Sequence, residues 1–264
     1  MTSRYFIDRT VSRWEEGEAV LCGDEAHHFT KVMRGKAGDS LVLFDGTGKF
    51  AHGIAELINK DGIQIRITDT FSDDIESPIR LTIASALPKG DRQRFFIEKL
   101  AELGVARYVP VQMTRSVARA NDSTLGRFRR YVIESSKQCG RNVLMEVSAE
   151  VPMNHLNDWI EKTIDSHSAN SPTACEKYLL HPVALGSVGQ TTPQQVLMPQ
   201  VTPPSDADGV SVRTIIILAG PEGSFTEQEI ALALQAGFCP LDLGKRILRT
   251  ETACIAASAV FLCF

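Results

Sequence analysis

The run TIIILAGPEGSFTEQEI, residues 214–230, constrains the chain more than any other stretch. An apolar strand stops at Gly220, Pro221, Glu222 and Gly223, and a helix begins a few residues later. Thr226 and Glu229 stand at the spacing of a capping box, so the helix start is well specified. The two glycines permit close approach of backbone to a ligand, and ligands of open parallel sheets bind at this edge. The other reading of the segment is a plain strand-to-helix turn.

The flanking sequence repeats this rhythm from residue 79 onward. IRLTIASAL reads as a strand, and DRQRFFIEKLAELGV as an amphipathic helix with Phe95, Phe96, Leu100 and Leu103 inward and Gly104 ending it. RYVPVQM, KYLLHP, TIIILAG and PLDLG follow as strands. Residues 125–138, 155–164, 226–235 and 251–262 follow as helices. Alternation of this kind implies a mostly parallel sheet covered on both faces. Between about 186 and 211 a stretch rich in Pro, Gln, Thr, Gly and Ser predicts a surface loop interrupting this domain.

Residues 1–75 read differently. RYFID, EAVLCG, DSLVLFDGTG, KFAHGIAEL and DGIQIRITDT are short apolar runs bounded by turn signals. One helical interruption lies near Glu25 to Met33, where Ala26, Phe29, Val32 and Met33 share a side. A small β-barrel with one helix fits, so the division expected is 1–75 and 76–264.

Charge is unevenly spread over the 264 residues, whose net charge is -4. Residues 81–142 carry 12 Lys and Arg against 5 Asp and Glu, while both flanking segments are acidic. Arg107, Arg115, Arg119, Arg127, Arg129, Arg130, Lys137 and Arg141 form a basic island suited to forked contacts with phosphate. Its other reading is a solvated helix face. The six cysteines form no C-x-x-C pair, which predicts reduced, mostly buried thiols. Nothing among the six histidines has metal-ligand spacing, so no metal is expected. The longest apolar stretch, TACIAASAVFLCF, is shorter than the roughly 20 residues a membrane span needs. Charges at Arg4, Asp8 and Arg9 interrupt any secretory signal, so no membrane and a cytoplasmic location are expected.

A second strand-end loop, LDLGKRILRTETA, brings Arg246, Arg249, Thr250 and Glu251 to a helix start. Cations there oppose the helix dipole unless an anion or carboxylate compensates. That points to function, or to a structural pair of Arg249 with Glu251 or Asp242. The absence of G-x-G-x-x-G and of a Walker loop argues against nucleotide and dinucleotide cofactors.

RYFIDR, HHFTKVMRGKAGD, ALPKGDR with EKLAELGV, QCGRN, LAGPEG and LGKRILRTETA occur in this order. Together they make the chain resemble the RsmE family of ribosomal RNA methyltransferases, of the SPOUT superfamily, over essentially its whole length. The resemblance implies an N-terminal PUA-like small β-barrel for RNA and a C-terminal α/β domain with a parallel sheet and a deep trefoil knot. It further implies S-adenosylmethionine as methyl donor, N3 of one uridine in 16S ribosomal RNA of the small subunit as acceptor, and a homodimer. Carried over by residue, Leu180, Leu218, Ala219, Gly220, Pro221, Glu222, Gly223, Leu243, Gly244, Ile247, Leu248 and Thr250 would hold the cofactor. Arg4, Arg9, His28, Arg34, Lys89, Arg92, Arg115, Arg141 and Asn142 would meet RNA, although His28 has an equal claim to a packing role. Ser224 stands where the family usually has a further glycine, and Lys245 where it has proline.

Methyl transfer to uridine N3 needs alignment and either a base or a cation that stabilises the uridine anion. Glu222 and Glu251 are the candidate bases, and Arg249 and Arg246 the candidate stabilisers. The preferred assignment has Arg249 stabilising the anion and Glu222 orienting the site. The alternative from another class is a non-catalytic RNA-binding or ribosome-assembly protein, but GPEG and RILRTET are both retained. An enzyme for a small anionic metabolite would explain the arginines and not the barrel.

Overall fold

A computed structural model describes residues 3–72, 75–165, 175–181 and 213–263. The segment expected as a loop, 186–211, lies outside the described residues. The chain divides into two compact units, one of residues 1–76 with 133–144 and one of 77–132 with 145–264.

The first unit is a six-stranded sheet in the order β1-β4-β5-β6-β3-β2. Its strands are β1 (Arg4–Phe6), β2 (Arg13–Trp14), β3 (Glu18–Leu21), β4 (Ser40–Phe44), β5 (Lys49–Asn59) and β6 (Gly62–Ser72). β1 joins β4 in parallel and the other pairings are antiparallel. Alternation puts Tyr5, Leu41, Leu43, Ala51, Ala55, Ile63 and Ile65 into one core with Trp14, Leu21 and Phe29. The helix expected over 25–33 is two pieces, α1 (Gly23–His27) and a π-helical turn over His28–Val32. Only Phe29 of that stretch is buried, whereas Val32 and Met33 are 61% and 51% exposed. The wider turn rotates the last residues away from the core stripe that a regular helix would keep.

The second unit is built on parallel strands in the order β10-β8-β7-β12-β11-β13. These are β7 (Ile79–Ser85), β8 (Arg107–Gln112), β10 (Val151–Pro152), β11 (Cys175–Leu180), β12 (Arg213–Ala219) and β13 (Cys239–Leu241), with β9 (Glu146–Val147) beside β8. Among the described residues the helices are α2 (Arg92–Glu102), α3 (Asp122–Cys139), of which residues 122–132 belong to this unit and the rest to the first, α4 (Leu156–Asp165), α5 (Glu227–Gln235) and α6 (Thr250–Leu262). Ala84, Val109, Leu179, Ile216 and Leu218 face one core with Leu156, Ile160, Phe225 and Ala233. α6 covers β7 and β12, and α2 packs on α6. Fully burying a side chain such as Ile216 contributes about 1.5–3 kcal/mol, so the apolar strands locate the sheet.

Two expectations are corrected. Phe95 is 52% exposed, while Phe96, Ile97, Leu100 and Ala101 are fully buried. At 3.6 residues per turn 96, 97, 100 and 101 form the stripe and 95 falls outside it. Of the cysteines only Cys254 is buried; Cys22 and Cys175 are half-buried, and Cys139, Cys239 and Cys263 are exposed. All six thiols are free.

Candidate active site

The sheet register brings four strand ends together. Leu180 pairs with both Ala219 and Leu241, and Ala219 with Ser85, so the β7, β12, β11 and β13 termini form one row. Chain segments leaving that row enclose a cavity of about 670 Å³, within the range of small-molecule sites. Leu180, Ala219, Gly220, Pro221, Glu222, Leu243, Gly244, Arg246, Ile247, Leu248, Arg249 and Thr250 all line it. Of the other residues expected there, Leu218 is in the sheet core with no exposure. Gly223 lies under Arg115, whose Nη1 donates to the Gly223 carbonyl at 2.8 Å.

The capping box expected at Thr226 and Glu229 is present in both directions. Glu229 also accepts from the Thr114 backbone N–H at 2.7 Å. Burial acts to raise its carboxyl pKa, but the backbone hydrogen bonds from Thr226 and Thr114 outweigh it and leave the pKa lowered. Ser224 has a φ of 62°, the left-handed region that glycine tolerates best. The second loop is tied to the first by Thr250 Oγ1, which donates to the Gly220 carbonyl at 2.7 Å.

The charged groups divide into committed and uncommitted sets. Arg92, expected on the RNA surface, lines the cavity and donates to Glu251 Oε1 at 3.0 Å and to Glu222 Oε1. The hydrogen bonds to Glu222 and then to Glu251 raise its pKa. Glu251 is not on the cavity wall; its side chain is 6% exposed and Oε2 is buried without a partner among the described residues. The proposed structural pairs of Arg249 do not form, because Glu251 takes Arg92 and Asp242 accepts from the Gly244 N–H. Arg246 and Arg249 line the cavity, exposed, with no ion pair among the described residues.

Sequence reasoning missed His181, Phe225 and Ala253 on this wall. Burial lowers the His181 pKa, and its Nδ1 is buried without a partner among the described residues. The position of His181 one residue beyond Leu180, at a strand end, was the available signal.

The residues assigned to RNA, and the basic island, are likewise divided. Arg34 and Lys89 are exposed, as are Arg127, Arg129 and Arg130. Arg9 pairs with Asp45 at 2.8 Å with its side chain 55% exposed. Arg141 and Asn142, expected at the RNA surface, are instead 2% and 6% exposed. Arg141 holds Glu76, and Asn142 accepts from Arg4, whose guanidinium also lies 5.2 Å from the Phe44 ring centre. Burial lowers the Arg4 pKa. The His28 ring lies 5.9 Å from Tyr5, with Nδ1 buried and without a partner among the described residues, a packed position. Arg107 and Lys137, of the basic island, are likewise used internally against Glu146 and Glu25. A charged side chain is rarely buried unless paired, and the sequence does not show which cations the fold encloses.

A family described as an RNA methyltransferase domain matches residues 75–262, and one described as an RNA methyltransferase PUA domain matches residues 21–68. The ribosomal RNA small subunit methyltransferase E of Bacillus subtilis is 28% identical over 255 residues, covering 95% of this chain and 92% of that protein. The protein of the same name from Synechocystis is 30% identical over 252 residues, covering 92% of this chain and 72% of that protein. Among solved structures, a ribosomal RNA small subunit methyltransferase E from Neisseria gonorrhoeae bound to S-adenosyl methionine gives a TM-score of 0.75. It is 28% identical, with 99% of this chain and 97% of that chain covered.

Proposed function

The chain belongs to the RsmE family of ribosomal RNA small subunit methyltransferases, and we propose that it methylates N3 of one uridine in 16S ribosomal RNA, with S-adenosylmethionine as donor. The observation that carries this reading is the strand-end cavity whose wall holds two arginines, Arg246 and Arg249, that make no ion pair with a carboxylate among the described residues.

The residues present fit the cofactor. The cavity has the size of a small-molecule site, with apolar wall from Leu180, Ala219, Leu243 and Leu248. His181 Nδ1, buried on the same wall and without a partner among the described residues, is a polar atom that a ligand could satisfy. When bound, S-adenosylmethionine supplies a methyl carbon activated by its sulfonium.

The remaining requirement is an acceptor nitrogen that is aligned and deprotonated. Arg249, at the N-cap of α6 and open to solvent, stabilises the uridine anion, with Arg246 beside it. Glu222 and Glu251 are held by Arg92, so Glu222 orients the site rather than serving as a free base. Backbone around Gly220 and Gly244 lines the cofactor, and the Thr250 bond keeps the two loops together.

Residues 1–75 serve as the RNA-binding domain and 76–264 as the catalytic domain, with the segments around the cavity following the knotted path of the family. Arg9, Arg34, Lys89 and Arg115, with Arg129 and Arg130, contact the RNA backbone. The enzyme acts as a homodimer in the cytoplasm; Ile247, 85% exposed on the cavity wall, is an apolar side chain for a second copy to cover.

Calorimetric titration with S-adenosylmethionine, followed by mass mapping of 16S RNA incubated with both, tests the reading. Binding and a new N3-methyluridine are expected. Binding of RNA without binding of cofactor would overturn it in favour of a non-catalytic RNA-binding protein.

A further inference from the structure

Arg249 and Glu251 stand two positions apart, so their α-carbons lie within about 7 Å and an arginine side chain at one spans the distance to a carboxylate at the other. The Glu251 side chain is 6% exposed, and a buried carboxylate left without a cation is strongly destabilising. Its cation is nonetheless a distant one in sequence. Arg92, at the start of α2, donates through Nη1 to Glu251 Oε1 at 3.0 Å and through Nη2 to Glu222 Oε1. Glu222 holds the other edge of the guanidinium, which fixes Arg92 on Glu251.

Arg249 is left without that partner. It is the N-cap of α6, where a cation opposes the helix dipole, and the acid in the first turn that would compensate it, Glu251, is bonded to Arg92. Asp242, on the same cavity wall, accepts from the Gly244 N–H, and Arg249 has no ion pair among the described residues. The difference matters for chemistry. A guanidinium paired with a carboxylate has its charge cancelled and its donors occupied, whereas an unpaired one can stabilise charge that develops on an acceptor nitrogen.

We propose that Arg92 is a positioning residue for methyl transfer: by occupying Glu251 it keeps the Arg249 guanidinium unpaired and available to the uridine anion. The inference rests on the methyltransferase reading and on Arg249 as the stabilising cation. The part played by Arg92 is indirect, and it differs from the RNA contact that the resemblance assigned to this residue. Without Arg92 the buried Glu251 takes the exposed arginine two positions away, and the cation that the uridine anion needs is quenched.

The test is single-turnover methylation of 16S RNA by the full-length protein, by Arg92→Ala, by Arg92→Lys and by the double variant Arg92→Ala with Glu251→Gln. Calorimetry with S-adenosylmethionine, RNA binding at several salt concentrations and thermal melts accompany it. Arg92→Ala is expected to lose about 10²-fold in rate, the scale of one stabilising donor, with RNA affinity and its salt slope unchanged. Adding Glu251→Gln removes the competing charge. The rate is then expected to return to within about tenfold of the unmodified protein, a recovery in the range of coupling within one ion-pair network. Arg92→Lys retains a cation for Glu251 and is expected to stay within the same limit. A double variant as slow as Arg92→Ala would mean that Arg92 only holds the loops in place, and a loss of RNA affinity with a shallower salt slope that it contacts phosphate itself. Either overturns the proposal, as does Arg92→Ala turning over at the unmodified rate. If Arg92→Ala fails to fold, the double variant, which buries no unpaired carboxylate, decides by the same limit: a rate within it supports the proposal and a slower one overturns it. Failure of the unmodified protein to methylate would instead overturn the reading on which the proposal rests.

Discussion

Thr250 Oγ1 donates to the Gly220 carbonyl at 2.7 Å, joining the first residue of α6 to the end of β12 across 30 positions of sequence. Both residues line the cavity, so this bond sets the separation of its two principal loops. Thr250→Val keeps the shape and removes the donor from an 8% exposed site. The expected cost is about 1 kcal/mol of stability, since the half-buried Gly220 carbonyl loses its partner. A urea titration checks this, and calorimetry should show weaker S-adenosylmethionine binding. Unchanged cofactor affinity would mean that the loops hold their spacing without Thr250.

Arg249→Ala should leave cofactor binding in place and reduce methylation by about 10²-fold or more, the loss typical for a donor that stabilises developing negative charge. Single-turnover methylation beside calorimetry separates the two effects. Turnover near that of the unmodified protein would remove Arg249 from the chemistry.

Ser224, at a φ of 62°, occupies a conformation that costs an L-residue roughly 1 kcal/mol. Ser224→Gly should be neutral or stabilising by up to about 1 kcal/mol, and Ser224→Val destabilising by about 1–2 kcal/mol. Denaturant midpoints of the three proteins give the order. A Val variant as stable as the parent would contradict the turn geometry.

Two arginine substitutions should behave oppositely. Arg141 is buried against Glu76, their side chains 3% and 17% exposed, so Arg141→Ala should cost about 3 kcal/mol or more of stability. Arg129 and Arg130 are exposed, so reversing both to Glu should spare stability, weaken RNA binding and flatten its salt dependence. Thermal melts and binding isotherms at several salt concentrations separate the pair. An unaltered salt slope would take α3 off the RNA path.

Glu229 is one of the carboxyls that make stability depend on pH on the acid side, with Asp45 and Glu176. Its folded pKa lies below the ordinary 4.5, so its contribution is complete above that value and is lost as pH falls through the lower folded one. Glu229→Gln should therefore narrow the gap in stability between pH 6 and pH 3. Parallel stability curves for the two proteins would remove the assignment.

Much of this was legible in the chain itself. Residues 215–219 are apolar without interruption, rich in Ile and ended by Gly220 and Pro221, which favours a strand buried on both faces, and Thr226 with Glu229 specifies the helix that follows. Both signals are local, so composition and spacing sufficed, as they did for the two loops around Gly220 and Gly244 that line the cavity. Charge was different. Arg92, Arg115 and Arg141 look alike in sequence, yet one bridges two carboxylates at the cavity, one holds a loop carbonyl and one is sealed against Glu76. Their partners lie 130 or 159, 108 and 65 positions away, and no local pattern encodes such distances. The π-helical turn at His28–Val32 and the exposed Phe95 were hidden for a related reason. Apolar identity shows that a residue can be buried, whereas helix phase and the packing surface opposite decide whether it is. Sequence alone determined the parallel sheet and the loops that carry the site; only tertiary structure decided which charges are free to act, because pairing and desolvation depend on what folding brings within a few ångströms.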